Sequence, residues 1–156
     1  MTFIVVRARS DVKVERKIRE TMGHMNLTRV NHAVIIPDNP QYRGMLQKAK
    51  DYITWGEADA GLVERMLSER GRMAGNAPLT DAIVSEHTDY KNISEFAKAI
   101  TAGEAQVKDI PELKRVFRLH PPRGTKGWGG IKRSFVVGGA LGSRGDAIGD
   151  LVDRMI

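Results

Sequence analysis

VNHAVIIPDNPQYRGMLQKAKDYITWGE, residues 30–57, decides the fold. Val30 to Ile36 is rich in β-branched side chains and reads as a strand that Pro37 halts. Asn39 followed by Pro40 starts a helix. The amide oxygen can accept from a free backbone N–H, and proline takes the first helical position, where no N–H is needed. Tyr42, Met45, Leu46 and Ala49 then share one helical face, and Asp51 to Gly56, with Tyr52, Ile53 and Trp55, reads as a further strand.

Upstream, Phe3 to Arg9 has strand composition. Ser10 is placed to cap a helix carrying Val14, Ile18, Met22 and Met25, with Gly23 near its end. Residues 1–57 therefore predict a core of strand–helix–strand–helix–strand, joined by two right-handed crossovers. Both helices are expected on one face of a small sheet, leaving the other face in need of cover or a partner.

Downstream the character changes. Residues 58–110 read as an acidic helical insertion: one helix with Leu62, Val63, Met66 and Leu67 after Asp59, a flexible break from Gly71 to Pro78, and a short helix from Asp81 to His87. A further helix is opened by Asn92 and Glu95 as a capping box, with Ile93, Phe96, Ala97 and Ile100 inward. Residues 111–156 supply a strand from Val116 to His120, a basic glycine-rich loop and a terminal helix carrying Ile148, Leu151, Val152 and Met155, which packs back on the core. The fold class predicted is α+β: a small sheet with helices on one face, a helical insertion and a basic C-terminal extension.

Composition narrows the function. At 156 residues the chain can bury a core without covalent staples, and its lack of cysteine removes disulfides, thiolate zinc sites and cysteine nucleophiles. The aliphatic runs are far shorter than a membrane span, and the start reads as a strand without signal-peptide anatomy, so a cytoplasmic protein is expected. Net charge is +6 and unevenly spread. Residues 1–57 hold 10 Lys/Arg against 6 Asp/Glu, residues 58–110 hold 6 against 9, and residues 111–156 hold 9 against 4. From Leu113 to Gly145 there are eight cations and no carboxylate, which points to a polyanionic partner.

RLHPPRGTKGWGG, residues 118–130, concentrates that charge. A phosphate-binding P-loop counted from Gly124 puts Gly130 where lysine belongs, and a dinucleotide loop counted from Gly127 puts Lys132 where glycine belongs. Nucleotide binding is therefore not expected. His24, His32, His87 and His120 lack metal-ligand spacing, the acids lie on helix surfaces, and no serine elbow is present. Neither a cofactor, a metal nor a small-molecule substrate is expected, and an enzyme on this scaffold remains only a distant alternative.

RNA suits these residues better. Arg118, His120, Arg123, Lys126, Lys132, Arg133 and Arg144 can face phosphates, and Trp128 can stack on a base or cover the protein's own core. Asn31, His32 and Arg43 form a second candidate group at the rim of sheet and helix. Gly44 costs that helix about 1 kcal/mol relative to alanine, which either helix-on-sheet packing or a close RNA approach would explain.

The segment NHAVIIPDNPQYRGMLQKAKDYITWGE, with EHTDY at 86–90 and RLHPPRG at 118–124, resembles the large-subunit ribosomal protein thirty family, of the archaeal type. The likeness runs from residue 1 to the final helix. It implies a ferredoxin-like, non-catalytic protein embedded in large-subunit rRNA, near the 5S rRNA region, among neighbouring ribosomal proteins. RGTKGWGGIKRS follows no family pattern position by position, so contacts there rest on charge. A free RNA-binding regulator on the same fold is the alternative.

Overall fold

The computed structural model describes residues 2–10, 12–124 and 127–156. Six strands and six helices lie within them: β1 (Thr2–Arg7), α1 (Arg16–His24), β2 (His32–Pro37), α2 (Pro40–Lys48), β3 (Ile53–Glu57), α3 (Ala60–Arg70), α4 (Asp81–His87), α5 (Ile93–Ala102), β4 (Val116–Arg118), β5 (Gly130–Ser134), β6 (Gly139–Ser143) and α6 (Ile148–Met155). The strands form one sheet in the order β4-β2-β1-β3-β6-β5.

β1 is central and buried throughout. It pairs antiparallel with β2 (Val6 opposite Ala33) and with β3 (Val5 opposite Trp55). The first connection therefore joins antiparallel neighbours. Among the first three strands only β2 and β3, linked through α2, run in the same direction, so the expectation of two parallel crossovers fails for β1–α1–β2.

Two cores flank the sheet. Phe3, Val5, Val34 and Trp55 face α1 and α2, which bring Met22, Met25, Leu46 and Ala49. Both helices thus lie on one face, as their apolar stripes require. Ile4, Val6, Ala33 and Phe117 join a larger core with α3, α5 and α6, through Leu62, Met66, Phe96, Ile100, Leu151 and Met155. The face that needed cover is closed by the chain's own later helices. Alternate residues of β1 therefore enter different cores, as a pleat demands.

The helix starts mostly follow the capping chemistry. The side chains of Asn39, Asp59, Thr80 and Asn92 accept from the backbone N–H of Tyr42, Leu62, Ile83 and Glu95. Ser10 caps nothing. The chain turns through Lys13 in the left-handed region and α1 begins after Glu15, which has no side-chain cap. Segment 71–78, expected as a flexible break, is a closed turn: Arg72 bridges Pro78, and Met73 bridges Leu113.

β5 and β6 are absent from the sequence reading. β6 runs parallel to β3, with Thr54 opposite Gly142, and β5 forms the far edge beyond it. Gly56 of β3 is where the terminal helix closes in, since a Cβ there would lie 2.6 Å from Ile148 Cβ. Gly56→Ala is expected to cost roughly 1–3 kcal/mol through overpacking, read as a lower urea midpoint at unchanged m.

Candidate nucleic-acid interface

The sheet's antiparallel register carries Arg7, His32 and Arg118 to one end. His32 stands opposite Arg118, and Ala33 opposite both Val6 and Phe117. Asn31, in the left-handed region, precedes β2 there. Its N–H donates to the Arg7 carbonyl at 2.9 Å, and its carbonyl accepts from the Leu119 N–H at 3.2 Å. These backbone bonds join the end of β1, the start of β2 and the segment from Leu119 that follows β4.

An open cleft lies against this edge, lined by Asn26, Thr28, His32, Lys114, Arg115, Val116 and Arg118. None of these is a carboxylate. Lys114 is steadied by donating to Asn76 Oδ1 at 2.7 Å, while Arg115 and Arg118 are exposed. Asn31 Oδ1 and His32 Nδ1 are buried and have no hydrogen-bond partner among the described residues. Burial first, then the charges of Arg118, Arg29 and Arg7, pull the His32 pKa below its usual value. Its folded-state pKa therefore lies below that of the unfolded chain. The resulting stability is present above the unfolded histidine value and is lost as pH falls through the folded one.

Lys114, Arg115 and Arg29 were missed as individual site residues. The signal for the first two was available, since they open the carboxylate-free run. What hid them was their position before a strand only three residues long.

Arg43 does not join this group. It lies over the Phe3 ring, 6.0 Å from the centroid, and Phe3 sits at the other end of β1. The four-residue separation of Phe3 from Arg7 puts roughly 14 Å between the two ends. Arg43 also grips Asp38, with Nη2 to Oδ2 at 2.7 Å, and the guanidinium's hydrogen bond holds the Asp38 carboxyl below its ordinary range. The expected rim of Asn31, His32 and Arg43 is thus split, and Arg43 already has an anion.

Gly44 beside it is exposed, and a Cβ there would meet nothing within 4 Å. Helix-on-sheet packing therefore does not explain it. Gly44→Ala is expected to raise stability by about 0.5–1 kcal/mol, measured by thermal melting.

The C-terminal candidates also separate. Arg144 is half-buried and works inside the fold. Its Nε donates to Thr54 Oγ1 at 2.8 Å, its Nη2 donates to the Ala140 carbonyl at 3.0 Å, and its guanidinium lies 4.8 Å from the Phe135 ring centroid. Burial, then the Arg154 charge, lowers its pKa. Trp128 is partly buried against the larger core, so its indole covers the protein's own interior.

Arg123 sits where the loop root meets the end of α6. Its N–H donates to the Arg154 carbonyl at 3.1 Å, and the His120 N–H donates to the Met155 carbonyl at 2.9 Å. Arg154 answers by donating to the carbonyls of Arg123 and Gly127. The loop's backbone thus caps a helix C-terminus while the Arg123 side chain stays exposed. Lys132 and Arg133 are exposed on β5. Lys126 lies outside the described residues.

Five strand spacings separate β4 from β5, roughly 24 Å across the sheet. The cations contiguous in sequence therefore form two surfaces, one on each edge. Among the described residues no group of His, Asp or Glu is placed to hold a metal ion, and no helix is long and apolar enough to cross a membrane.

The sequence pattern of ribosomal protein L30p/L7e matches residues 3–53. The chain is 50% identical over 154 residues to large ribosomal subunit protein uL30 of Methanobrevibacter smithii, covering 99% of each chain. This protein belongs to the ribosomal L30p/L7e family. It is likewise 53% identical over 148 residues to uL30 of Methanopyrus kandleri, covering 95% of this chain and 99% of that one. With uL30 of Methanococcus maripaludis it shares 46% identity over the whole length of both. The likeness thus includes the helices and the C-terminal strands as well as the ferredoxin-like segment, and it places this L30p/L7e protein with archaeal relatives.

Proposed function

We propose that this protein binds large-subunit rRNA along the β2/β4 edge and again along β5, joining RNA segments that the two edges hold apart. As a member of a ribosomal protein family it is a structural constituent of the large subunit, not an enzyme, and its working place is the cytoplasmic ribosome. The observation that carries rRNA binding is the cleft bearing His32, Lys114, Arg115 and Arg118 with no carboxylate in its lining. A cleft of one sign concentrates field and attracts a polyanion, and cations there release counterions when they meet phosphates. Asn31 Oδ1 and His32 Nδ1 lack a hydrogen-bond partner among the described residues but are buried, so the phosphate contacts fall to Lys114 and the exposed Arg115 and Arg118. The family resemblance supports a position near 5S rRNA with ribosomal proteins as neighbours.

Burial first, and the arginine charges after it, depress the His32 pKa, and phosphates arriving at this edge would oppose the second cause. Binding then takes up a proton, so affinity should rise as pH falls through the histidine range, and His32→Gln should flatten the rise. The function itself is tested by sedimentation. The chain should travel with large subunits in a sucrose gradient and leave them in high salt. A chain found only in the slow, particle-free fractions would instead be a free RNA-binding regulator.

A further inference from the structure

Phe135, Val136 and Val137 form an exposed turn between β5 and β6, with Val136 87% and Val137 65% exposed. Single apolar residues on a surface mean little, but three in succession make a patch, and Ile131 on β5 is exposed as well. The turn is held out rather than left over. The Arg144 guanidinium sits by the Phe135 ring, and Gly138, at φ 87°, turns the chain back into β6. Every residue of β5 is exposed, including Lys132 and Arg133.

The surrounding charge decides what covers this patch. No carboxylate occurs between Leu113 and Gly145, so an apolar groove on another protein would have to leave the neighbouring cations unpaired or bring its own acids. RNA supplies both surfaces together: phosphates, and the apolar faces of bases left unstacked in loops and bulges. We propose that the 135–137 turn is an apolar wedge that seats against base faces of rRNA, while Lys132 and Arg133 meet the adjoining phosphates. The inference rests on the rRNA-binding reading and adds a contact that is independent of salt.

The test is assembly of large subunits from rRNA and a protein set lacking this chain, supplemented with full-length wild type or the double variant Val136→Ser, Val137→Ser. Both valines are exposed, so folding should survive, as circular dichroism would show. The variant should bind about tenfold more weakly, with the slope of log affinity against log salt unchanged. Hydroxyl-radical protection should disappear at one confined RNA segment and persist elsewhere. Equal affinity and an identical footprint would overturn the wedge while leaving rRNA binding intact. An intact footprint with a neighbouring protein missing from the particle would overturn it in favour of a protein dock. If wild type protects no RNA, rRNA binding and wedge fall together.

Discussion

Phe117→Ala is expected to destabilise the protein by roughly 3–5 kcal/mol, the cost of emptying a fully packed phenylalanine site. Phe117 is completely buried, on a strand of three residues, among α3, α5 and α6 side chains. That loss is a large share of the roughly 5–15 kcal/mol that stabilises a domain. It also bears on function, because β4 carries Arg118 and leads into Leu119 and His120. Denaturant unfolding should show the drop, and RNA affinity should fall only as far as folded protein is lost. A change under 1 kcal/mol would mean that β4 is not anchored by this ring, and the edge cleft would lose its support.

Removing the edge charges should do the reverse, sparing the fold and emptying the function. The triple variant Lys114→Gln, Arg115→Gln, Arg118→Gln gives up one hydrogen bond, from Lys114 to Asn76, and no ion pair among the described residues. Its unfolding midpoint should hardly move. If each cation neutralises one phosphate, the salt slope should become shallower by about 2–3 units, and affinity near 0.1 M salt should fall about a hundredfold. The matched control removes three cations elsewhere, Arg65→Gln with Lys91→Gln and Lys98→Gln, where Arg65 already pairs with Asp153 at 2.9 Å and the two lysines are exposed. Equal losses in the two triple variants would show that net charge, rather than this edge, governs binding.

The difference between what could and could not be read lies in the range of the forces. Asn39–Pro40, Asp59 and Asn92 act on amides three residues away, so the starts of α2, α3 and α5 were legible. The apolar spacing of α6 was equally plain, and all four of its predicted inward residues are buried. β5 and β6 were not legible. Their residues, GIKRS and GALGS, lack strand composition, and β6 forms only because Thr54 and Trp55 of β3 offer a free edge. Arg144 shows the same limit at the site. Within a carboxylate-free run it reads as a phosphate contact, and only the fold brings Thr54 Oγ1 and the Ala140 carbonyl to its guanidinium.

What the sequence determined by itself was the local and the additive: helix starts, apolar faces, an excess of cations without acids, and a ferredoxin-like first third. Tertiary structure alone decided how those cations are grouped. Sheet order sends Arg118 and Lys132 to opposite edges, the length of β1 carries Arg43 away from His32, and a single acid, Asp38, compensates Arg43. The physical reason is that charge composition adds up along a chain, whereas a binding surface depends on which strands become neighbours. That choice is made by burial across the whole sheet.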